Sequence, residues 1–141
     1  MMYIKYKDEI LELLELRDGI ESKAAGLAAE RATESQIAEL REAYMQLEEA
    51  ALSKKNTTKK DVNFHMVLIK ISGNKLFRRV YVSLVDLLKD TIDKIRLEAL
   101  TKPEGPIIEL KRHEKILNAI EQKDKEKAKE VMSENMEQVL K

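Results

Sequence analysis

The segment Asp8 to Arg31, DEILELLELRDGIESKAAGLAAER, places apolar residues at Ile10, Leu13, Leu14, Leu16, Ile20, Ala24, Leu27 and Ala28. That spacing follows one face of an α-helix and lacks the alternation of a half-buried strand. Gly19 and Gly26 lie inside the segment at roughly 1 kcal/mol each against Ala, a cost that close packing of a neighbouring helix would explain. Thr33-Glu34-Ser35-Gln36 then reads as a capping box, with the Thr33 hydroxyl accepting from the Gln36 amide and the Gln36 side chain reaching back. These features predict a first helix over Asp8 to Arg31 and a second from about Glu34 to Leu52.

Working outward, Ser53 to Thr57 is polar and breaks the periodicity. Thr57 or Thr58 can cap a third helix that ends near Ser72-Gly73-Asn74, and Asn74 caps a long fourth helix to about Leu100. Lys102-Pro103-Glu104-Gly105-Pro106 holds both prolines and is the clearest break in the chain. Two shorter helices follow, from Ile107 to about Gln122 and from Asp124 to about Leu140. With 4 Gly and 2 Pro in 141 residues, a turn-dense β architecture has too few breakers. The expectation is an all-α fold: an antiparallel bundle of about six helices, one domain over residues 1–141.

Composition excludes several functions. Lys+Arg and Asp+Glu both total 26, so there is no overall positive field to hold nucleic acid by counterion release. Charge is uneven along the chain: residues 1–50 carry 6 basic and 12 acidic groups, and residues 51–100 carry 11 and 5. Solvated faces explain this, although a basic half could also steer an anion. Without cysteine there is no disulfide framework, thiolate zinc site or Cys nucleophile. No long apolar run or signal peptide appears, so a cytoplasmic protein with no membrane partner is expected. No Ser-His-Asp arrangement or glycine-rich phosphate loop supports an enzyme.

The two histidines sit where helical periodicity calls for apolar side chains. His65 shares the stripe of Phe64, Leu68 and Ile69, and His113 that of Ile107, Leu110, Leu117 and Ile120. Asp61 precedes His65 by one helical turn on the same face. Asn135 interrupts the stripe Ala128, Met132, Val139. Burying four such groups together requires a hydrogen-bond network or an ion that satisfies them. Asp oxygen and His nitrogen are ordinary ligands for zinc, nickel, manganese or iron. A di-iron carboxylate bundle fits poorly: it needs Glu-x-x-His spacing and two further glutamates, and Glu109, one turn before His113, is expected to face solvent.

The sequence also resembles a known family over nearly its whole length. Leu16 to Glu21 and Ala24 to Thr33 resemble the first helix of the FCD domain, the effector-sensing domain of the FadR branch of GntR-type transcription regulators. Asp61-Val62-Asn63-Phe64-His65 with Ser72-Gly73-Asn74 resembles its D-x-x-F-H and s-G-N signatures. His113 to Ile120 and Asp124 to Ala128 resemble its closing motifs. The resemblance implies a homodimeric helical bundle holding a divalent metal (Zn, Ni or Mn) on one Asp and three His, with a small carboxylate effector completing the coordination.

Asp61, His65 and His113 match three of those ligands, and the fourth position falls at Asn135. An amide there is a weaker ligand than imidazole, so it serves as a weak or outer contact, lowers affinity, or marks a site that binds an organic ligand without metal. Arg17 either pairs with a ligand carboxylate or forms a salt bridge with Glu21, four residues on. Asn74 is expected to be a helix cap. Family members carry a winged helix-turn-helix ahead of the sensing domain, whereas this chain opens on Met1-Met2-Tyr3-Ile4 beside the first helix. DNA would be contacted only through such an N-terminal domain. The alternatives are a stand-alone ligand- or metal-binding bundle and a structural bundle with no metal.

Overall fold

Ala24, Ala25, Ala28 and Ala29 are all buried, and they line the helix on which the others are assembled. The computed structural model describes residues 2–99, 102 and 104–138. The described elements are α1 (Met2–Arg31), α2 (Glu34–Leu52), α3 (Thr58–Ser72), α4 (Lys75–Ser83), α5 (Val85–Ala99), α6 (Gly105–Glu121) and α7 (Lys125–Gln138). Side chains reduced to a methyl group let α1 run close to its neighbours. It packs against α7, α3 and α6, while α2 covers α3 and α6, and α6 also meets α7. Phe64, Leu68 and Ile69 of α3, Ile116 and Ile120 of α6 and Met132 of α7 fill the core between them.

The helix ends follow local chemistry. The Thr33 capping box is formed in both directions, and Asn74 Oδ1 accepts from the Phe77 amide at 3.0 Å. Thr57 occupies the N-cap of α3 without a side-chain bond; Asn56 Oδ1 accepts from the Thr58 amide instead, at 2.8 Å. Gly73 ends α3 in the left-handed region at φ 76°, where a side chain would be strained. Asp124 Oδ1 accepts from the Lys127 amide and so caps α7.

One expected element divides. The long fourth helix is two, α4 and α5, so the described residues hold seven helices where about six were expected. At the break the Leu84 amide bonds back to the Tyr81 and Val82 carbonyls, and the Ser83 hydroxyl takes the Val80 carbonyl at 2.6 Å. The two halves have different inward residues: Tyr81 is buried from α4, whereas Leu88 and Ile92 are buried from α5, which returns over α3. The expected helix ends at Leu100 and Leu140, and Val139 of the last stripe, lie outside the described residues. No helix among those described is long and apolar enough to cross a membrane.

The two glycines of α1 separate. A Cβ at Gly26 would stand 2.7 Å from Lys129 Cγ and 2.9 Å from Cδ, so Gly26 marks a close approach of α7. Gly19 has nothing within 4 Å, and packing does not account for it. Gly19→Ala should therefore stabilise the protein by about 0.5–1 kcal/mol, raising Tm by about 2–4 °C per kcal/mol. Gly26→Ala should give no such gain, because Lys129 must move. Equal stabilisation by both variants in thermal melts would show that the α1–α7 approach is not a constraint.

Candidate functional site

Helical spacing in α3 puts Asp61 and His65 one turn apart, and α6 brings His113 opposite them. His113 Nε2 lies 3.1 Å from Asp61 Oδ1, His65 Nε2 lies 3.2 Å from the same oxygen, and the two Nε2 atoms are 3.2 Å apart. The three donor atoms thus form a nearly equilateral triangle. Among the described residues, Asp61, His65 and His113 are the group of His and carboxylate side chains placed to hold a metal ion. Phe64 packs edge-on against both imidazoles, with ring centroids 5.6 and 5.2 Å away.

The outer nitrogens are fixed too. His113 Nδ1 lies 2.8 Å from the Glu109 carbonyl oxygen; a carbonyl only accepts, so Nδ1 carries the proton. His65 Nδ1–H donates to the Glu21 carboxylate. Both imidazoles are therefore held by Nδ1 with Nε2 turned toward the shared point, the arrangement in which an outer partner orients a metal-binding histidine. Asn135 of α7 is 5% exposed, and its Oδ1 is buried with no hydrogen-bond partner. These four residues line one cavity of about 50 Å³, together with Arg17, Arg96, Glu109 and Arg112. Such a volume holds a few waters, or an ion with a very small ligand.

Arg17 takes the salt-bridge role: its Nε donates to Glu21 Oε2 at 2.6 Å. This pair is inside the bundle, with side-chain exposures of 5% and 0%. Burial alone would raise the Glu21 carboxyl, but Arg17 and then His65 outweigh it and hold Glu21 down to about 2. Burial likewise opposes charge on His65, yet Glu21 and the hydrogen bonds to Asp61 and Glu21 push it up to about 9. Asp61 is held well below the usual carboxylate range because His113, followed by the hydrogen bonds from both histidines, overrides its burial.

Glu109 corrects an expectation. It is half-buried and lines the cavity, where burial and then the Asp61 charge push it up to about 8. The turn of α6 that aims His113 inward carries Glu109 with it. Arg96 and Arg112 were not singled out in the sequence, and Glu21 entered only as a salt-bridge partner of Arg17. Arg17 and Glu21 follow Leu13 and Leu14 and precede Ala24 and Ala28 at helical spacing, so their place on the buried stripe was a usable signal. Arg96 and Arg112 each have a buried Nε without a partner, and burial lowers Arg112. Asn74 is a helix cap.

The fold is a helical bundle with a buried polar centre, and comparison with known proteins gives its family. The FCD domain profile matches residues 12–138. The chain belongs to the FCD domain family of GntR-type transcription regulators. The HTH-type transcriptional repressor NanR of Salmonella newport is 30% identical over 97% of this chain and 52% of its own length. The HTH-type transcriptional regulator LutR of Bacillus subtilis is 29% identical over 81% of this chain and 52% of its own. In structure, Streptococcus agalactiae GntR matches with a TM-score of 0.75 and 27% identity, over 94% of this chain and 59% of that one. E. coli McbR/YncC, at 23% identity, a TM-score of 0.69 and coverage of 94% of this chain and 65% of that one, shares the fold. The chain spans about half the length of the curated relatives it matches.

The depressed Glu21 carboxyl implies a pH dependence of definite sign. Its folded value of about 2 lies below the ordinary 4.5, so its stabilisation is complete above pH 4.5 and is lost as pH falls through about 2. Glu21→Gln should flatten this acid limb of a plot of Tm against pH. At pH 7 the variant should lose on the order of 3 kcal/mol, because Arg17 and His65 are left as buried charges with one fewer partner. Thermal melts from pH 2 to pH 7 check both, and a variant that superimposes on the parent would remove Glu21 from this role.

Proposed function

We propose that this chain is the effector-sensing and dimerising module of a cytoplasmic GntR/FadR-type regulator, with residues 1–141 acting as one unit. Asp61, His65 and His113 would hold a divalent cation, with the Asn135 amide oxygen as a weaker fourth donor, and a small organic acid would complete its coordination. The observation that carries this reading is the triangle of Oδ1 and two Nε2 atoms beside an unpartnered buried Asn135 oxygen. The donor set fits a divalent ion, which would supply Lewis acidity toward a carboxylate.

Arg17 is engaged by Glu21, so the anion's partners would be Arg96 of α5 and Arg112 of α6, whose unpaired Nε atoms border the cavity. Guanidinium forks suit a carboxylate. The cavity is small, and α5 covers it through Ile92, Ile95 and Arg96 while packing on α3 and α4. An acid of more than a few heavy atoms would displace α5, so the bound and free bundles would differ there. Such binding shifts the bundle only by its differential affinity for the two arrangements, typically about 1–3 kcal/mol. DNA would be contacted through a winged helix-turn-helix N-terminal to α1. For the dimer, Leu76 and Val80 present an exposed apolar face one turn apart on α4.

A second reading has its own observation. The contacts from Arg17 through Glu21, His65, Asp61 and His113 to the Glu109 carbonyl close without an ion, as a structural bundle would require. Metal analysis separates the two. The purified chain should carry about one equivalent of divalent metal, and its Tm should fall on chelation and recover with added cation. Asp61→Ala should abolish that response. Metal-free protein indifferent to chelator and cation would favour the structural bundle.

Two further outcomes test the remainder. Arg96→Ala with Arg112→Ala should retain the metal while raising the concentration of small carboxylate needed for a given Tm shift by about a hundredfold or more, since each of the two lost charge-assisted bonds is worth about 1.5–3 kcal/mol and about 1.4 kcal/mol is tenfold. Light scattering should show a dimer that Leu76→Glu with Val80→Glu converts to monomer, and an unchanged mass would move the interface elsewhere.

A further inference from the structure

The fourth donor of the proposed centre is an amide, and its surroundings indicate what an amide is suited to. Asn135 Oδ1 is buried on α7 without a hydrogen-bond partner, in a cavity lined also by Asp61, His65 and His113. A buried carbonyl oxygen without a partner costs free energy that a ligand at the site would offset. With Asp61, this amide makes a donor set of two oxygens and two imidazole nitrogens. Glu109 adds a further carboxyl group to the same cavity.

The donor spacing is informative as well. Two ligands at about 2.1 Å from one ion stand about 3.0 Å apart at the 90° angle of an octahedron, and about 3.4 Å apart at the tetrahedral angle. The edges found here, 3.1, 3.2 and 3.2 Å, lie between the two values, so the triangle admits an octahedral face as well as a tetrahedral one. Space for a few waters in the cavity leaves room for the remaining positions.

We propose that Asn135 sets cation preference, making this a centre for six-coordinate, oxygen-tolerant divalent ions of the Mn²⁺ class and handicapping tetrahedral Zn²⁺ relative to an imidazole at the same position. The proposal rests on the metal-centre reading above. It concerns a ratio of affinities, because Mn²⁺ binds more weakly than Zn²⁺ at almost any nitrogen–oxygen site. Oxygen donors suit Mn²⁺, whereas imidazole favours zinc and nickel.

The test uses the intact chain and three proteins: wild type, Asn135→His and Asn135→Leu. Dissociation constants for Zn²⁺ and Mn²⁺ are measured by competition with a chelator, and thermal melts of the metal-free proteins check folding. Asn135→His should tighten Zn²⁺ by about tenfold or more while changing Mn²⁺ by no more than about threefold. Asn135→Leu should weaken both ions. The Mn²⁺ electron paramagnetic resonance spectrum of wild type should show nitrogen coupling from two imidazoles, rising to three in Asn135→His. An unchanged ratio of Zn²⁺ to Mn²⁺ affinity in Asn135→His, or full affinity for both ions in Asn135→Leu, would overturn the proposal while leaving the centre standing. Wild type that binds neither ion, with Asp61→Ala melting identically with and without cation, would instead remove the centre itself and the proposal with it.

Discussion

A carboxylate with no solvent exposure stands in the middle of the 30-residue α1, and a charge so placed must be met by opposite charge and hydrogen bonds from whatever packs against it. Glu21 is met twice: by Arg17 from its own helix and by the His65 imidazole from α3. Holding His65 by Nδ1 turns its Nε2 toward Asp61 and His113, which ties α6 to α3. Three helices are thereby registered against one another by a single polar chain. An apolar contact is non-directional and would tolerate sliding; this chain would not.

The alanine-rich face of α1 supplies the complementary condition. Small side chains allow α7 and α3 to approach closely enough for Asn135 and His65 to reach the same cavity. The helix that holds Glu21 also runs back to the N-terminal end of the described chain. α5 stands apart from this framework, since it packs on α3 and α4 and closes the cavity with Ile92, Ile95 and Arg96. The rigid side of the centre and its cover belong to different parts of the bundle.

Much of this was legible from local rules. The Thr33 capping box, the Asn74 cap and the Pro-Glu-Gly-Pro break depend on neighbours a few residues away, and the helix limits they imply lie close to those found. Asp61, His65, His113 and Asn135 stood out as polar residues on apolar stripes. Glu21 did not, because an Arg–Glu pair at i,i+4 has the same spacing on a solvated face as in a core. Glu109 was assigned to solvent on similar grounds, yet the rotation of α6 that buries His113 brings it to the cavity. The break at Leu84 was also hidden: apolar residues continue across it, and only the different inward residues of α4 and α5 divide the helix.

Sequence alone determined the class of fold, the main caps and the polar residues set on inward faces, because each depends on periodicity or on contacts within one turn. Tertiary structure decided which of those polar residues meet. The donor triangle joins α3 to α6, its support comes from α1 and its unpartnered oxygen from α7, so no window of sequence contains the site. It also decided that Arg17 and Glu21 form an interior pair, since burial is a property of what packs over a residue and is not encoded in its spacing.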